Sequence, residues 1–201
     1  ELQALHEDFQ NASVQRVAGR DFHLGSLNGR AALLVLSGIG KVAAATTTAL
    51  LLDRFEVEAV LFTGVAGGLG ELVKVGDVVI GDALLQHDLD ASPIFPRWEV
   101  PLTGISRFAA DARWSDTLAR AAQASGHAVH RGLIVSGDRF VATSAESAAL
   151  RAASLLPRLG LPSVDGDLRS AAVLSAAMPM LGIYSILAQR QETRTFPAEL
   201  F

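Results

Sequence analysis

The stretch that decides the fold runs from Leu61 to Asp82 and reads LFTGVAGGLGELVKVGDVVIGD. A short apolar run stops at Thr63, passes into a loop holding four glycines and almost no polar side chains, and returns as a second apolar run. Such a loop is either a tight turn or a surface of bare backbone available to a small molecule. Its neighbours decide between these. Ala31 to Leu36 (AALLVL) is an unbroken apolar run, as expected of a strand covered on both faces, and Ser37-Gly38-Ile39-Gly40 breaks it. Lys41 to Phe55 then reads as an alanine-rich helix, with Val42, Ala45, Ala49 and Leu52 at helical spacing. Ala59 to Phe62, Asp77 to Ile80 and Gly132 to Ser136 read as further strands. Ser144 to Leu155 reads as a helix, with Ser144 as its cap. Leu168 to Ala177 is helical in composition, and Met180 to Leu187 is a candidate last strand. Strands alternating with helices predict an α/β fold in three layers: a central mixed or mainly parallel sheet flanked by helices.

In such a sheet the ligand lies beyond the carboxyl ends of the strands, and both glycine clusters follow strands there. Neither is a phosphate loop of the Gly-Lys-Ser/Thr type, and neither has the dinucleotide spacing. Asp88 to Ala110 is a long irregular stretch carrying Phe95 and Trp98 among Pro93, Pro96 and Pro101. Loops of that length are commonly functional or disordered.

Composition narrows the function. The chain has 201 residues, half of them apolar and 19% charged, with a net charge of −4 and no cysteine. This is a well-packed globular chain of one-domain size. It has no basic patch for nucleic acid or anionic membrane, and no apolar run long enough for a bilayer-spanning helix. The absence of cysteine excludes thiol catalysis and fits a reducing, cytoplasmic setting.

Taken together, SGIGKVAAATTTALLL, TGVAGGL followed by KVGDVVIGD, the His87-Asp88 pair and RGLIVSGDRFV (Arg131 to Val141) resemble the methylthioadenosine/S-adenosylhomocysteine nucleosidases of the purine nucleoside phosphorylase-like superfamily. The resemblance runs in order over about the first two thirds of the chain. It implies one nucleosidase domain over residues 1–201, with the family's first strand and last helix lying outside this stretch. It also implies a homodimer that needs no metal or cofactor and takes an adenine nucleoside as its small-molecule partner. The implied reaction hydrolyses the bond between adenine and a thioether-bearing ribose. Charge develops on sugar and base as that bond breaks, so the protein must hold the ribose, place a water and protonate the purine.

The resemblance places Glu1 as the residue that orients the water, and the backbone of Ala66 and Gly67 beside water and ribose. Phe140 would stack on the purine, and the main chain of Val141 would bond its edge. Ile39 would line the thioether pocket, with Ile94 and Pro101 reaching into the partner subunit's pocket. On the residues alone, Glu1 is a solvated helix-start acid, Phe140 is more often a core aromatic, and His87 and Asp88 are structural.

The final third departs from the family pattern. Where the family has Val-Glu-Met-Glu, whose last glutamate binds the ribose hydroxyls, this chain has Val164-Asp165-Gly166-Asp167. Asp167, with Asp165 beside it, is the matching ribose ligand. Where the family has Arg-x-Ile-Ser-Asp, whose aspartate protonates the purine, this chain has Tyr184-Ser185-Ile186-Leu187-Ala188, and the next carboxylate is Glu192. Two other readings therefore stand beside the nucleosidase: a nucleoside sensor without catalysis, and a purine nucleoside phosphorylase. The phosphorylase needs a cationic anion site, which the motif loops do not supply beyond Lys41.

Overall fold

The computed structural model describes residues 7–155, 172–175 and 185–190. The chain forms two compact units, Glu1–Val65 with Pro179–Phe201, and Ala66–Met178.

The first unit begins with a meander: β1 (Phe9–Val17), β2 (Arg20–Leu27) and β3 (Arg30–Leu36). Two-residue turns join them, Ala18-Gly19 with φ of 48° and 77°, and Asn28-Gly29 with φ of 50° and 75°. Positive φ at both central residues is the turn whose twist suits a hairpin, and the strand registers close on Val17↔Arg20 and Leu27↔Arg30. The alternation of strands and helices in the sequence does not reveal this meander, although Asn28-Gly29 carries its signal. The helix α1 (Lys41–Arg54) follows, then β4 (Val57–Thr63), and β10 (Ser185–Arg190) inserts between β3 and β4. The sheet order is β1-β2-β3-β10-β4. Of the candidate last strand, residues 185–187 fall in β10, with Ala188 opposite Leu33 on one side and Val60 on the other, and residues 180–184 lie outside the described residues.

The apolar run of β3 is explained by burial on both faces. Leu33 and Val35 pack with Phe22, Leu24, Leu51 and Phe55, while Ala32 and Leu34 pack with Phe9. Each such buried aliphatic side chain contributes about 1.5–3 kcal/mol of burial free energy. The Phe22 and Phe55 rings stack at a tilt, 4.8 Å between centroids.

The buried face of α1 is not the predicted one. Val42, Ala45, Ala49 and Leu52 are all exposed, and Thr47 and Leu51 are buried instead. An alanine-rich helix offers little contrast between its faces, so spacing alone does not choose. Thr47 is fixed by polar partners: Arg20 Nε donates to its Oγ1 at 2.6 Å, and the hydroxyl faces the Ser37 and Ala43 carbonyls at 3.0 and 2.8 Å.

The second unit holds β5 (Gly67–Gly68), β6 (Val78–Gln86), β7 (Arg107–Ala109), α2 (Ala112–Ala124), β8 (Val129–Gly137), α3 (Ser144–Leu155) and β9 (Ala172–Ser175), in the sheet order β5-β9-β8-β6-β7. β6, β8 and β9 run parallel, and the edge strands β5 and β7 run antiparallel. The chain is thus α/β with mixed strand pairing. Residues 172–175 form a strand where helix was expected, because a short apolar run such as AAVLS suits either element and its neighbours β8 and β5 decide it. α2, which the apolar pattern does not single out, is capped by Asp111, whose carboxylate accepts from Trp114 N–H at 2.9 Å.

The KVGD segment is a turn. Gly76 has φ of 96°, Asp77 N–H donates to the Lys74 carbonyl, and the Asp77 carboxylate accepts from Lys74 N–H at 2.8 Å. The same carboxylate oxygen lies 2.8 Å from His130 Nε2. The Lys74 bond, then His130, hold the Asp77 carboxyl below its ordinary value of 3.8. Among the described residues, no helix is long and apolar enough to cross a membrane.

Candidate active site

The sheet of the second unit brings the glycine loop and the SGDRFV loop to one edge. β8 and β9 are parallel, with Gly137 opposite Ser175 where both end. β5 runs antiparallel to β9, pairing Gly67 with Val173 and Gly68 with Ala172, so Ala66 stands toward that same carboxyl end. Val135 is the partner of Val173 on the other side, which sets Gly67 and Val135 roughly 10 Å apart across one strand. This is the edge where open α/β sheets hold ligands.

The two glycines of the loop differ in role. Among the described residues, a side chain at Gly67 would meet no atom within 4 Å, whereas one at Gly68 would press on Val73 at 3.1 Å. Gly67 thus leaves open space at the sheet edge, and Gly68 is glycine for packing.

Beyond β8 the loop is pinned on both sides of Phe140. Arg139 pairs with Glu146 at 2.8 Å, and Val141 packs on the cluster of Leu69, Leu85, Trp98, Leu133 and Val135. Phe140 between them is 42% exposed, so it is not a core aromatic and its ring is available to stack. α3 is capped by Thr143 rather than by Ser144: Glu146 N–H donates to Thr143 Oγ1 at 3.1 Å, and Glu146 Oε2 accepts from Ala142 and Thr143 N–H. The Thr143 hydroxyl, which donates to Glu146 Oε2 at 3.1 Å, and then those two amides hold the Glu146 carboxyl below its ordinary range.

Gly68, Leu69, Val141, Thr143, Ser147 and Arg151 line an open cavity of about 420 Å³, within the range of small-molecule sites. The sequence does not single out Thr143, Ser147 or Arg151; only their spacing of four, from the cap at 143 to 147 and 151 on α3, could have suggested a shared face. Of the described lining residues Arg151 pairs with Glu71 at 2.9 Å, and Arg139, in the loop before Phe140, pairs with Glu146. Among the described residues, no three His, Asp or Glu side chains stand together as a metal site.

The irregular stretch after β6 is an ordered loop anchored by its aromatic. Trp98 is buried, its indole N–H donates to the His87 carbonyl at 3.0 Å, and it holds φ of 70°. The most exposed large apolar residues of this stretch are Ile94, 81% exposed, and Leu102, 91% exposed, with Pro101 and Ile105 also at the surface. The aromatic Trp98 is therefore core, and the surface the loop offers is aliphatic. His87 is buried against Gly137, and Asp88 Oδ2 accepts from Asp138 N–H at 2.8 Å, so both residues have structural partners. Ile39 lies in the first unit, half exposed in the loop between β3 and α1 where Gly38 and Gly40 take φ of 83° and 95°. Glu1, Asp165 and Asp167 lie outside the described residues.

Comparison with known proteins bears on what this edge is for. The family model of the phosphorylase superfamily matches residues 1–197. The chain is 34% identical over 207 residues to the 5'-methylthioadenosine/S-adenosylhomocysteine nucleosidase of Colwellia psychrerythraea, covering 98% of this chain and 83% of that protein. It is 37% identical over 142 residues to the nucleosidase of the same name from Haemophilus influenzae, covering 70% of this chain and 62% of the relative. A solved structure of the Neisseria meningitidis 5'-methylthioadenosine/S-adenosylhomocysteine nucleosidase with methylthio-immucillin-A superposes with a TM-score of 0.67 at 38% identity, covering 75% of this chain and 66% of that one. The chain thus spans under two thirds of the length of some relatives and more than four fifths of another. By fold and by sequence, this chain belongs to the methylthioadenosine/S-adenosylhomocysteine nucleosidase family within the phosphorylase superfamily.

Proposed function

We propose that the protein hydrolyses the N-glycosidic bond of methylthioadenosine and S-adenosylhomocysteine, releasing adenine and the thioribose product. The observation that carries this reading is the meeting of the glycine loop and the Phe140-Val141 loop at one sheet edge, in a chain of this family. The two units act as one nucleosidase domain in a cytoplasmic homodimer, without metal or cofactor.

Each residue has a task in this reading. Phe140 stacks on the purine and the Val141 main chain bonds its edge, which fixes the base relative to the sugar. The backbone at Ala66 and Gly67 lies against ribose and water, where the open space at Gly67 admits the substrate. Asp167, with Asp165 beside it, accepts from the ribose hydroxyls, and Glu1 orients the water that attacks the sugar. Ile39 lines the thioether pocket, and Ile94 and Pro101 complete the pocket of the partner subunit.

The proton for the departing purine is the open step. In this reading the family's acid falls at Ala188, in β10 between β3 and β4, and alanine has no proton to give. Unless another carboxylate such as Glu192 takes its place, adenine would leave without a positioned general acid, at a cost of about a hundred- to ten-thousand-fold in rate. Ala188 also favours a second reading, a nucleoside sensor that binds and does not cleave. Phosphorolysis is disfavoured, because among the described residues Arg151 at the cavity is already paired with Glu71, and Arg139 of the Phe140 loop with Glu146. Adenine release from methylthioadenosine in phosphate-free buffer tests the proposal: release supports hydrolysis, while binding without release supports the sensor.

A further inference from the structure

The β6–β8 ladder is parallel and reaches Gln86↔Ser136. Its next bond is also made, His87 N–H donating to the Ser136 carbonyl at 3.0 Å. In a parallel ladder the following bond would run from Asp138 N–H to the His87 carbonyl. That bond is replaced at both ends. The Trp98 indole N–H takes the His87 carbonyl at 3.0 Å, and the Asp88 carboxylate takes Asp138 N–H at 2.8 Å. Trp98 is itself held to the exit of β6 by its own N–H, which donates to the Leu89 carbonyl at 3.0 Å.

The substitution has a geometric consequence. The strands part at this rung, so the chain after β8 turns out as the loop that carries Phe140 two residues later. A carboxylate on a short side chain satisfies the amide that the ladder gives up, and an anionic acceptor makes a stronger bond than a carbonyl. We propose that Asp88 is a positioning residue, whose bond to the Asp138 amide sets the loop that presents Phe140 and Val141 to the purine. It acts through the backbone and touches no substrate.

The binding arm of the test rests on the nucleosidase reading; a second arm does not. Wild type, Asp88→Ala and Asp88→Asn are compared in KM and kcat for adenine release from methylthioadenosine, in adenine affinity by calorimetry, and in amide hydrogen exchange. The expected result for Asp88→Ala is a rise of about tenfold in KM and in the adenine Kd, the size expected on losing a hydrogen bond to a charged group. Its kcat stays within about threefold, since the groups that act on the sugar are elsewhere. Exchange accelerates at the Asp138 to Val141 amides while Leu133 to Val135 keep their protection. Asp88→Asn recovers most of the loss, because the amide oxygen accepts from the same N–H. Should Asp88→Ala not fold, Asp88→Ser, whose hydroxyl is one atom shorter in reach, carries the same comparison. Unchanged exchange at Asp138 to Val141 overturns the proposal, as does a uniform loss of protection along β8, which would make Asp88 merely structural. If the wild type neither binds nor cleaves the nucleoside, the nucleosidase reading fails, and the exchange arm still decides the role of Asp88.

Discussion

The His87 imidazole occupies the space in which a side chain at Gly137 would stand, with Nε2, Cε1 and Cδ2 all facing the position of a Cβ. The glycine of the SGD segment is therefore required by a neighbouring ring and not by its own backbone angles. Gly137→Ala should cost about 1–3 kcal/mol, as overpacking does in a filled core. Chemical denaturation measures this, and the cost should shrink in a His87→Ala background. Equal costs in both backgrounds would show that the ring is not the obstacle.

Thr47 yields a second prediction. Its hydroxyl serves Arg20 and the Ser37 carbonyl from inside the first unit, where it is fully buried. Thr47→Val keeps the shape and leaves those partners unsatisfied, so it should lose about 1–3 kcal/mol in urea unfolding. Thr46→Val, one residue away on the exposed side, removes only a bond to the Val42 carbonyl and should stay within about 0.5 kcal/mol of wild type. Similar losses in the two variants would contradict the assigned role.

The sequence carries the interior of the fold well and its edges poorly. Two-sided burial makes β3 legible as AALLVL, and the glycine loop shows because it interrupts apolar runs. β1 and β2 are half-exposed, mostly polar strands whose pairing depends on two short turns, so their composition hides them. The buried stripe of α1 is hidden because alanine and threonine make every face look alike. Of the candidate site, Phe140, Val141, Ala66 and Gly67 were reachable through motifs in family order. The paired state of Arg139 and Arg151 was not, since it depends on Glu146 and on the sequence-distant Glu71.

Acid stability should report on Asp77. Its folded carboxyl titrates below the ordinary value of 3.8, so the unfolded chain binds the proton first as pH falls. The stabilisation is therefore complete well above pH 3.8 and is lost as pH drops through that value toward the lower folded one. Asp77→Asn should flatten the fall of unfolding free energy below about pH 5, the start of carboxylate titration. A slope identical to wild type across that window would refute the assignment.

The exposed aliphatic residues of the loop after β6 bear on assembly. Ile94 and Leu102 are more than four fifths exposed, an arrangement that suits burial in a symmetric pair. Sedimentation at micromolar concentration should find a dimer, and Ile94→Asp with Leu102→Asp should shift it toward monomer. A monodisperse wild-type monomer would contradict the homodimer.

The central claim is hydrolysis by a chain with alanine, Ala188, at the position proposed for the family's acid. Adenine release from methylthioadenosine, followed in phosphate-free buffer for wild type, Ala188→Asp and Glu1→Gln, tests it most directly. The account predicts slow release by wild type, faster release by Ala188→Asp by about a hundred- to ten-thousand-fold, and none by Glu1→Gln. Release only when phosphate is added, or no release from either wild type or Ala188→Asp while the nucleoside still binds, would contradict it.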